Sequence, residues 1–312
     1  MDNSLILILL KMNRKRVGAV LVFIFLLTGL SFMPETDQDN PVQQGAQAEK
    51  LSGGFLFTEG PSCDANGNVY FTDQPNNRIM IWTVEGKLLT FMQPCGRSNG
   101  LFFDTKGFLW ACADEKNEIW RIGTDKKIEI ITGKYDGAPY NGPNDLWISP
   151  EGRIYFTDPY YKRDWWDHTS MPQKSQSVYF LSPDYKTVIQ VISDLVQPNG
   201  IVGTPDGKTL YVADIAANRT WTYTINQNGS LSSKRLFCEM GSDGMTIDEK
   251  GNIYLTGKGV TIFDKNENRL GNISIPENWT ANVCFGGKDR KSLFITASKS
   301  LYMIRMRIKG LY

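Results

Sequence analysis

Two carboxylates in this chain stand in the same place relative to a repeated turn. Glu59 opens "EGPSCDANGNVYFTD" and lies eight residues ahead of Gly67; Asp243 opens "DGMTIDEKGNIYLTG" and lies eight ahead of Gly251. The same count from the other copies of the turn reaches Asn99, Asn144, Asn199 and Asn282, so all six copies place a side-chain oxygen at one position. Two carboxylates among neutral amides suit a hard divalent cation, which takes six to eight oxygens with water completing the set. Ca²⁺ fits this donor set best, with Zn²⁺, Mg²⁺ and Mn²⁺ as alternatives. Asn, Asp and Gly are also ordinary turn formers, which would account for one such pair but not for six in register.

The elements that must bring these positions together follow from the repeat. The turns align at positions 67, 107, 152, 207, 251 and 290, with spacings of 40, 45, 55, 44 and 39 residues. In the second unit "GLFFD", "FLWACA", "EIWRIG" and "KIEIIT" read as four short strands separated by polar turns. A period near 40 built from four-stranded antiparallel units predicts an all-β, six-bladed β-propeller. The sixth unit ends after its third strand, "SLYMIRMRI". "EKLSGGFLF", just ahead of the first unit, occupies the missing place, predicting closure by an N-terminal outer strand that removes an exposed edge. The first strand of every blade lines the central channel, so the six polar positions form a ring at one mouth.

Residues 51–312 therefore read as one propeller domain of about 260 residues, near the upper size of closed all-β folds. Ahead of it, "KMNRKR" and an apolar run reaching Met33 read as a signal peptide or membrane anchor over 1–33, with Met12 as an alternative start. An acidic, Gln-rich tether over 34–50 follows. The expected location is exported: periplasmic, extracellular or anchored. A net charge of +1 argues against nucleic acid as a partner, and any membrane contact is expected only through the N-terminal segment. No protein partner is implied. The five cysteines show no metal-binding spacing, and Cys63, Cys112 and Cys284 fall where other repeats carry apolar or threonine residues on the two inner strands, as small buried side chains do. One histidine, His168, excludes a His-rich metal centre.

The longest spacing reflects an insertion, "PYYKRDWWDHTSMPQKSQ" at 159–176, which should emerge beside the ring as a lid. Tyr160, Tyr161, Trp165 and Trp166 offer aromatic surface for a sugar face, and Lys162 and Arg163 offer cations; anchoring on a neighbouring blade is the competing role. His168 is expected to serve in loop packing or on the surface. A second acidic series, Asp73, Asp114, Asp158 and Asp214, is expected to hold turn amides.

The motifs "EGP" at Glu59, "PND" around Asn144, "FTDP" ending at Pro159, "QPNG" around Asn199 and "SDGM" around Asp243 resemble the senescence marker protein (regucalcin) and gluconolactonase family, in order and from about Gly53 to the C-terminus. The resemblance implies a six-bladed propeller with one divalent metal at the channel mouth and hydrolysis of sugar lactones. It implies metal ligation by Glu59, Asn199 and Asp243, and a place beside the metal, touching substrate, for Asn144. Asn99 and Asn282 match no motif of the family and enter as substrate contacts only through the repeat register. An arginine that animal members carry two residues before Asn144 is Gly142 here, which alters the substrate contacts inferred from them. Asp243 is the candidate base for attack by water on a lactone carbonyl. Phosphotriester hydrolysis on the same site, or calcium-dependent sugar binding without catalysis, are the alternatives.

Overall fold

The computed structural model describes residues 40–312; the expected leader lies outside the described residues. Six four-stranded antiparallel sheets follow one another along the chain. Blade 1 comprises Thr58–Cys63, Val69–Asp73, Arg78–Trp82 and Leu88–Met92 from the inside outwards. The innermost strands of blades 2 to 6 are Ser98–Phe103, Leu146–Ile148, Pro198–Gly203, Met245–Ile247 and Thr280–Gly286. Glu49–Gly53 pairs antiparallel with Ser300–Arg305 as the outermost strand of blade 6, so a β-edge from each end of the chain closes the ring.

The repeated turn is explained by its hydrogen bonds. Asp64 Oδ1 accepts the N–H groups of Asn66 and Asn68 at 2.9 Å, and Asp104 Oδ1 accepts those of Lys106 and Phe108 at 2.9 Å. The side chain thus replaces strand partners while the chain reverses. Between blades the core is aromatic and aliphatic, with Trp110, Trp147, Tyr155, Tyr179 and Phe285 fully buried. The five cysteines are free thiols, four of them buried.

Residues 40–50 depart from the expected tether. Val42 bridges to Met306, and Val42, Ala46 and Ala48 pack on the apolar cluster of blades 5 and 6. Their polar neighbours disguised three small apolar residues that cover an otherwise exposed core edge.

Near the axis the innermost strands approach so closely that a side chain has no room. A Cβ at Gly100 would lie 2.6 Å from the Asn144 carbonyl oxygen of blade 3, and one at Gly244 would meet the Asn282 amide of blade 6 at 2.0 Å. Gly100 N–H donates to the Asn144 carbonyl at 2.7 Å, tying blade 2 to blade 3. Gly100→Ala is accordingly expected to destabilise the fold by about 1–3 kcal/mol through overpacking. Gly271→Ala, where a Cβ meets nothing within 4 Å, should be neutral or slightly stabilising. Chemical denaturation of the two variants checks this contrast.

Candidate functional site

The polar ring lies where strand pairing breaks down. In blades 1, 2, 4 and 6 the register between the two inner strands shifts between Glu59 and Ser62, Ser98 and Leu101, Pro198 and Ile201, and Thr280 and Asn282. In blades 3 and 5, Asn144 and Asp243 stand just ahead of the innermost strand. Such irregularities re-aim a side chain that regular pleating would direct elsewhere. Here they lead to a cavity of about 370 Å³ whose wall includes Glu59, Asn99, Asn144 and Asp243.

Asn199 stands behind this wall. Its Nδ2 donates to Asp243 Oδ1 and Tyr161 Oη, both at 2.8 Å. The second Asp243 oxygen accepts the indole N–H of Trp279 at 2.6 Å. Glu59 Oε2 accepts the Gly60 N–H at 3.1 Å. Burial, and then the charge of Asp243, hold the Glu59 carboxyl well above its usual range; burial raises Asp243 to about 6, against the pull of Trp279, Asn199 and Arg163.

The sixth ring position behaves differently. Asn282 lies deeper in the channel, where its Nδ2 approaches Asp145 Oδ2 at 3.5 Å and its Oδ1 accepts the Val283 N–H at 2.8 Å. It lines a separate small void with Asp145, Met245 and Cys284 rather than the mouth cavity. Its expected substrate contact is therefore not supported by its position. The cause is one extra residue in the inner hairpin of blade 6: Thr280 pairs with Ala297 where Thr58 pairs with Asp73 in blade 1, so Ala281 takes the ring position and Asn282 stands where blades 1, 2, 4 and 5 have glycine. Asp145, next to Asn144, is a buried carboxylate that the register count did not single out, and burial raises it to about 7.

The insertion does reach the mouth, through residues only partly anticipated. Tyr161 and Arg163 line the cavity. Lys162 is exposed and lies outside the wall. Tyr160 packs against Trp166 and His168, and Trp165 lies under Arg97, 4.7 Å from its guanidinium. These three are thus not placed as substrate contacts. His168 stacks on Trp166 with ring centroids 4.7 Å apart, in keeping with a packing role. The loop is anchored on blade 2 as well: Trp166 Nε1 donates to the Asp114 carbonyl at 2.6 Å, and Arg163 Nε to Asp114 Oδ2 at 3.1 Å.

Asp73, Asp158 and Asp214 hold turn amides as expected, accepting from Leu56 and Phe57, from Asn141 and Gly142, and from Val196 and Gln197 respectively. Asp114 is the exception. Its carboxylate takes Gln74 Nε2 at 3.1 Å and Arg163, two side chains of the cavity wall. The remaining wall, Phe57, Gln197, Ile215, Ala216 and Trp279, was not identified from the sequence. Phe57 and Gln197 each stand two residues before a ring position, so extending the register count by one strand period would have found them.

The donor set fits a divalent cation. Asn99 Oδ1 and Asn199 Oδ1 are buried without a hydrogen-bond partner, a costly state for an amide oxygen. They accompany two buried carboxylates whose repulsion a cation would relieve. Among the described residues no cluster of three or more His, Cys, Asp or Glu side chains could hold a metal. Two carboxylates completed by amides are what this mouth offers.

A closed six-bladed propeller with a polar, carboxylate-bearing mouth defines the class. Residues 57–299 match the SMP-30/gluconolactonase/LRE-like region, and the chain belongs to that family. It is 30% identical over 293 residues to the gluconolactonase of Zymomonas mobilis, covering 84% of this chain and 82% of that protein. A solved gluconolactonase from Xanthomonas campestris superposes with a TM-score of 0.79 at 26% identity, covering 85% of this chain and 91% of the other. The diisopropyl-fluorophosphatase of Loligo vulgaris is 28% identical over 226 residues, 64% of this chain and 72% of that one.

The Asp114–Arg163 pair is expected to make the anchoring of the loop pH-dependent. Burial pushes Asp114 up to about 7 although Arg163 pulls it down. Above that pH the carboxylate is ionised and holds Arg163; below it the proton removes the charge and the pair weakens. Asp114→Asn should expose the loop to trypsin at Lys162 and Lys174 about tenfold faster at pH 8, corresponding to about 1.4 kcal/mol of local opening. Wild-type cleavage, normalised to that variant, should accelerate as the pH falls through 7.

Proposed function

We propose that the chain hydrolyses the ring ester of a small sugar lactone at the mouth cavity, using a divalent cation, with Ca²⁺ the first candidate. The observation that carries this reading is the meeting of Glu59, Asp243 and the unpartnered oxygen of Asn99 around an open cavity, with the unpartnered oxygen of Asn199 on the residue that bonds Asp243 from behind. Glu59, Asn199 and Asp243 would hold the ion, with Asn144 beside it. Bound there, a divalent cation supplies Lewis acidity toward a carbonyl and acidifies water.

The remaining chemistry falls to side chains. Asp243 is fixed at both oxygens, by Asn199 and by Trp279, so its carboxylate is oriented before substrate arrives. It takes the proton of the attacking water as the C–O bond to that water forms. When the ring C–O bond breaks, the same proton passes to the departing ring oxygen, which becomes a hydroxyl. Arg163 supplies positive charge at the wall for the developing oxyanion. Phe57 and Ile215 restrict competing water, and Asn144 offers its amide to a sugar hydroxyl. The similarity to a fluorophosphatase supports a second reading, phosphotriester hydrolysis at the same mouth, for which diisopropyl fluorophosphate is the diagnostic substrate.

Replacing Glu59, Asn199 or Asp243 with alanine should weaken Ca²⁺ binding in titration calorimetry and abolish lactone opening while the β-rich circular dichroism persists. Undiminished binding in all three variants would remove the metal assignment. Asp243→Asn retains one acceptor oxygen, and the metal should still bind, more weakly. Turnover at saturating metal should nevertheless fall by about 10²–10⁴, the share of a positioned base. A fully loaded variant that keeps most of its rate would move the base to Glu59.

A further inference from the structure

A second void of about 670 Å³ adjoins the mouth cavity, and both are lined by Ile215 and Trp279. Its origin lies in the turn lengths on this face. In blade 5 Gly257 pairs directly with Gly259, leaving Lys258 alone at the turn, whereas blade 3 carries the whole 159–176 insertion at the equivalent place. Gly257 also takes the strand-end position that Asp73, Asp158 and Asp214 hold in blades 1, 3 and 4. The shortened turn leaves open a groove walled by Glu239, Met240, Lys258 and Arg269.

Trp279 divides the two spaces and is 37% exposed, a large fraction for an indole already tied to a buried carboxylate. It is held still at its backbone as well: Ser298 Oγ accepts its N–H and donates to its carbonyl, both at 3.2 Å. A fixed, half-exposed aromatic face is a stacking platform for the C–H face of a sugar ring. Lys258, Arg269 and Glu239 form no ion pair among the described residues, so donors and an acceptor of both charge signs remain available to hydroxyl groups. The mouth cavity alone is of a size for one sugar ring, and the groove has room for another.

We propose that the groove is a second sugar subsite and that the preferred substrate is an aldonolactone carrying a further glycosyl unit. This deepens the lactonase reading and rests on it. The lactone ring occupies the mouth, and the attached neutral sugar lies across Trp279 between Lys258 and Arg269. Selectivity then arises in blade 5, away from the residues assigned to catalysis.

Two measurements on the calcium-loaded full chain test this. In titration calorimetry cellobionate should bind about tenfold more tightly than gluconate, equivalent to about 1.4 kcal/mol. The double variant Lys258→Ala/Arg269→Ala should bring that ratio close to one without changing gluconate binding. Cellobionolactone should likewise show a higher kcat/KM than gluconolactone, and the double variant should lose the difference while keeping its rate on gluconolactone. Equal affinity of the wild-type chain for the two acids, or a preference that survives the double variant, overturns the subsite. If the binding preference follows the variants but neither lactone is opened, the groove stands as a sugar site and the lactonase reading falls. If gluconolactone is opened and no preference exists, the reverse holds.

Discussion

Six strands crowd around one axis, and the room available there is set by backbone atoms alone. At Gly60 a Cβ would lie 2.1 Å from the Asn99 carbonyl oxygen, and at Gly200 it would lie 2.9 Å from that of Asp243. Each of these glycines follows a ring residue of one blade and packs against the ring residue of the next. This close approach allows polar side chains from separate blades, up to 184 residues apart between Glu59 and Asp243, to meet at one mouth. It also prevents regular pairing at the strand entry, and the irregular backbone turns those side chains toward the cavity. Ring closure by Glu49–Gly53 protects the arrangement from opening at an edge.

Having gathered carboxylates in a buried place, the fold must accommodate their charge. Burial raises Glu59, Asp114, Asp145 and Asp243. Arg163 is the cation of the cavity wall and lowers Glu59, Asp243 and Asp114 alike. A loop residue therefore tunes the same carboxylates that are suited to hold an ion. Raised carboxyl groups bind more protons in the native than in the unfolded chain between their ordinary range and about 7. In the metal-free protein they thus favour the fold at acid pH, and that contribution is lost as the pH rises through this window. A divalent cation held by these carboxylates would reverse the balance by stabilising the ionised forms. With an ion bound there, the mouth would link ion binding, loop anchoring and protonation through a few side chains.

The repeat made the architecture legible, because turn aspartates and glycines recur at a spacing no helical pattern imitates. Five of the six positions it singled out reach the mouth or stand directly behind its wall. Asn282 misled because the count runs back from the turn, and one extra residue in the inner hairpin of blade 6 moves Ala281 into the ring position. Asp114 misled for a related reason: it stands one residue beyond the strand end that Asp73 and Asp158 occupy, and its partner is the insertion that only blade 3 carries. Trp279 stands two residues before Ala281, as Phe57 does before Glu59, and the same one-residue offset in blade 6 concealed it. Residues 41–48 were hidden by their composition, in which a few small apolar side chains do the packing. For Asp114 and for residues 41–48 the missing information was a contact between distant parts of the chain, which a repeat within one blade does not encode.

The central claim is that ring residues from different blades converge on one divalent cation at the mouth. Crystals of the full chain soaked in Mn²⁺, with anomalous scattering recorded at the metal edge, test it most directly. A single anomalous peak within coordination distance of Glu59, Asn199 and Asp243, lost on competition with Ca²⁺, is the predicted result. A peak deeper in the channel beside Asp145 and Asn282, or none near Glu59 and Asp243, would contradict the account.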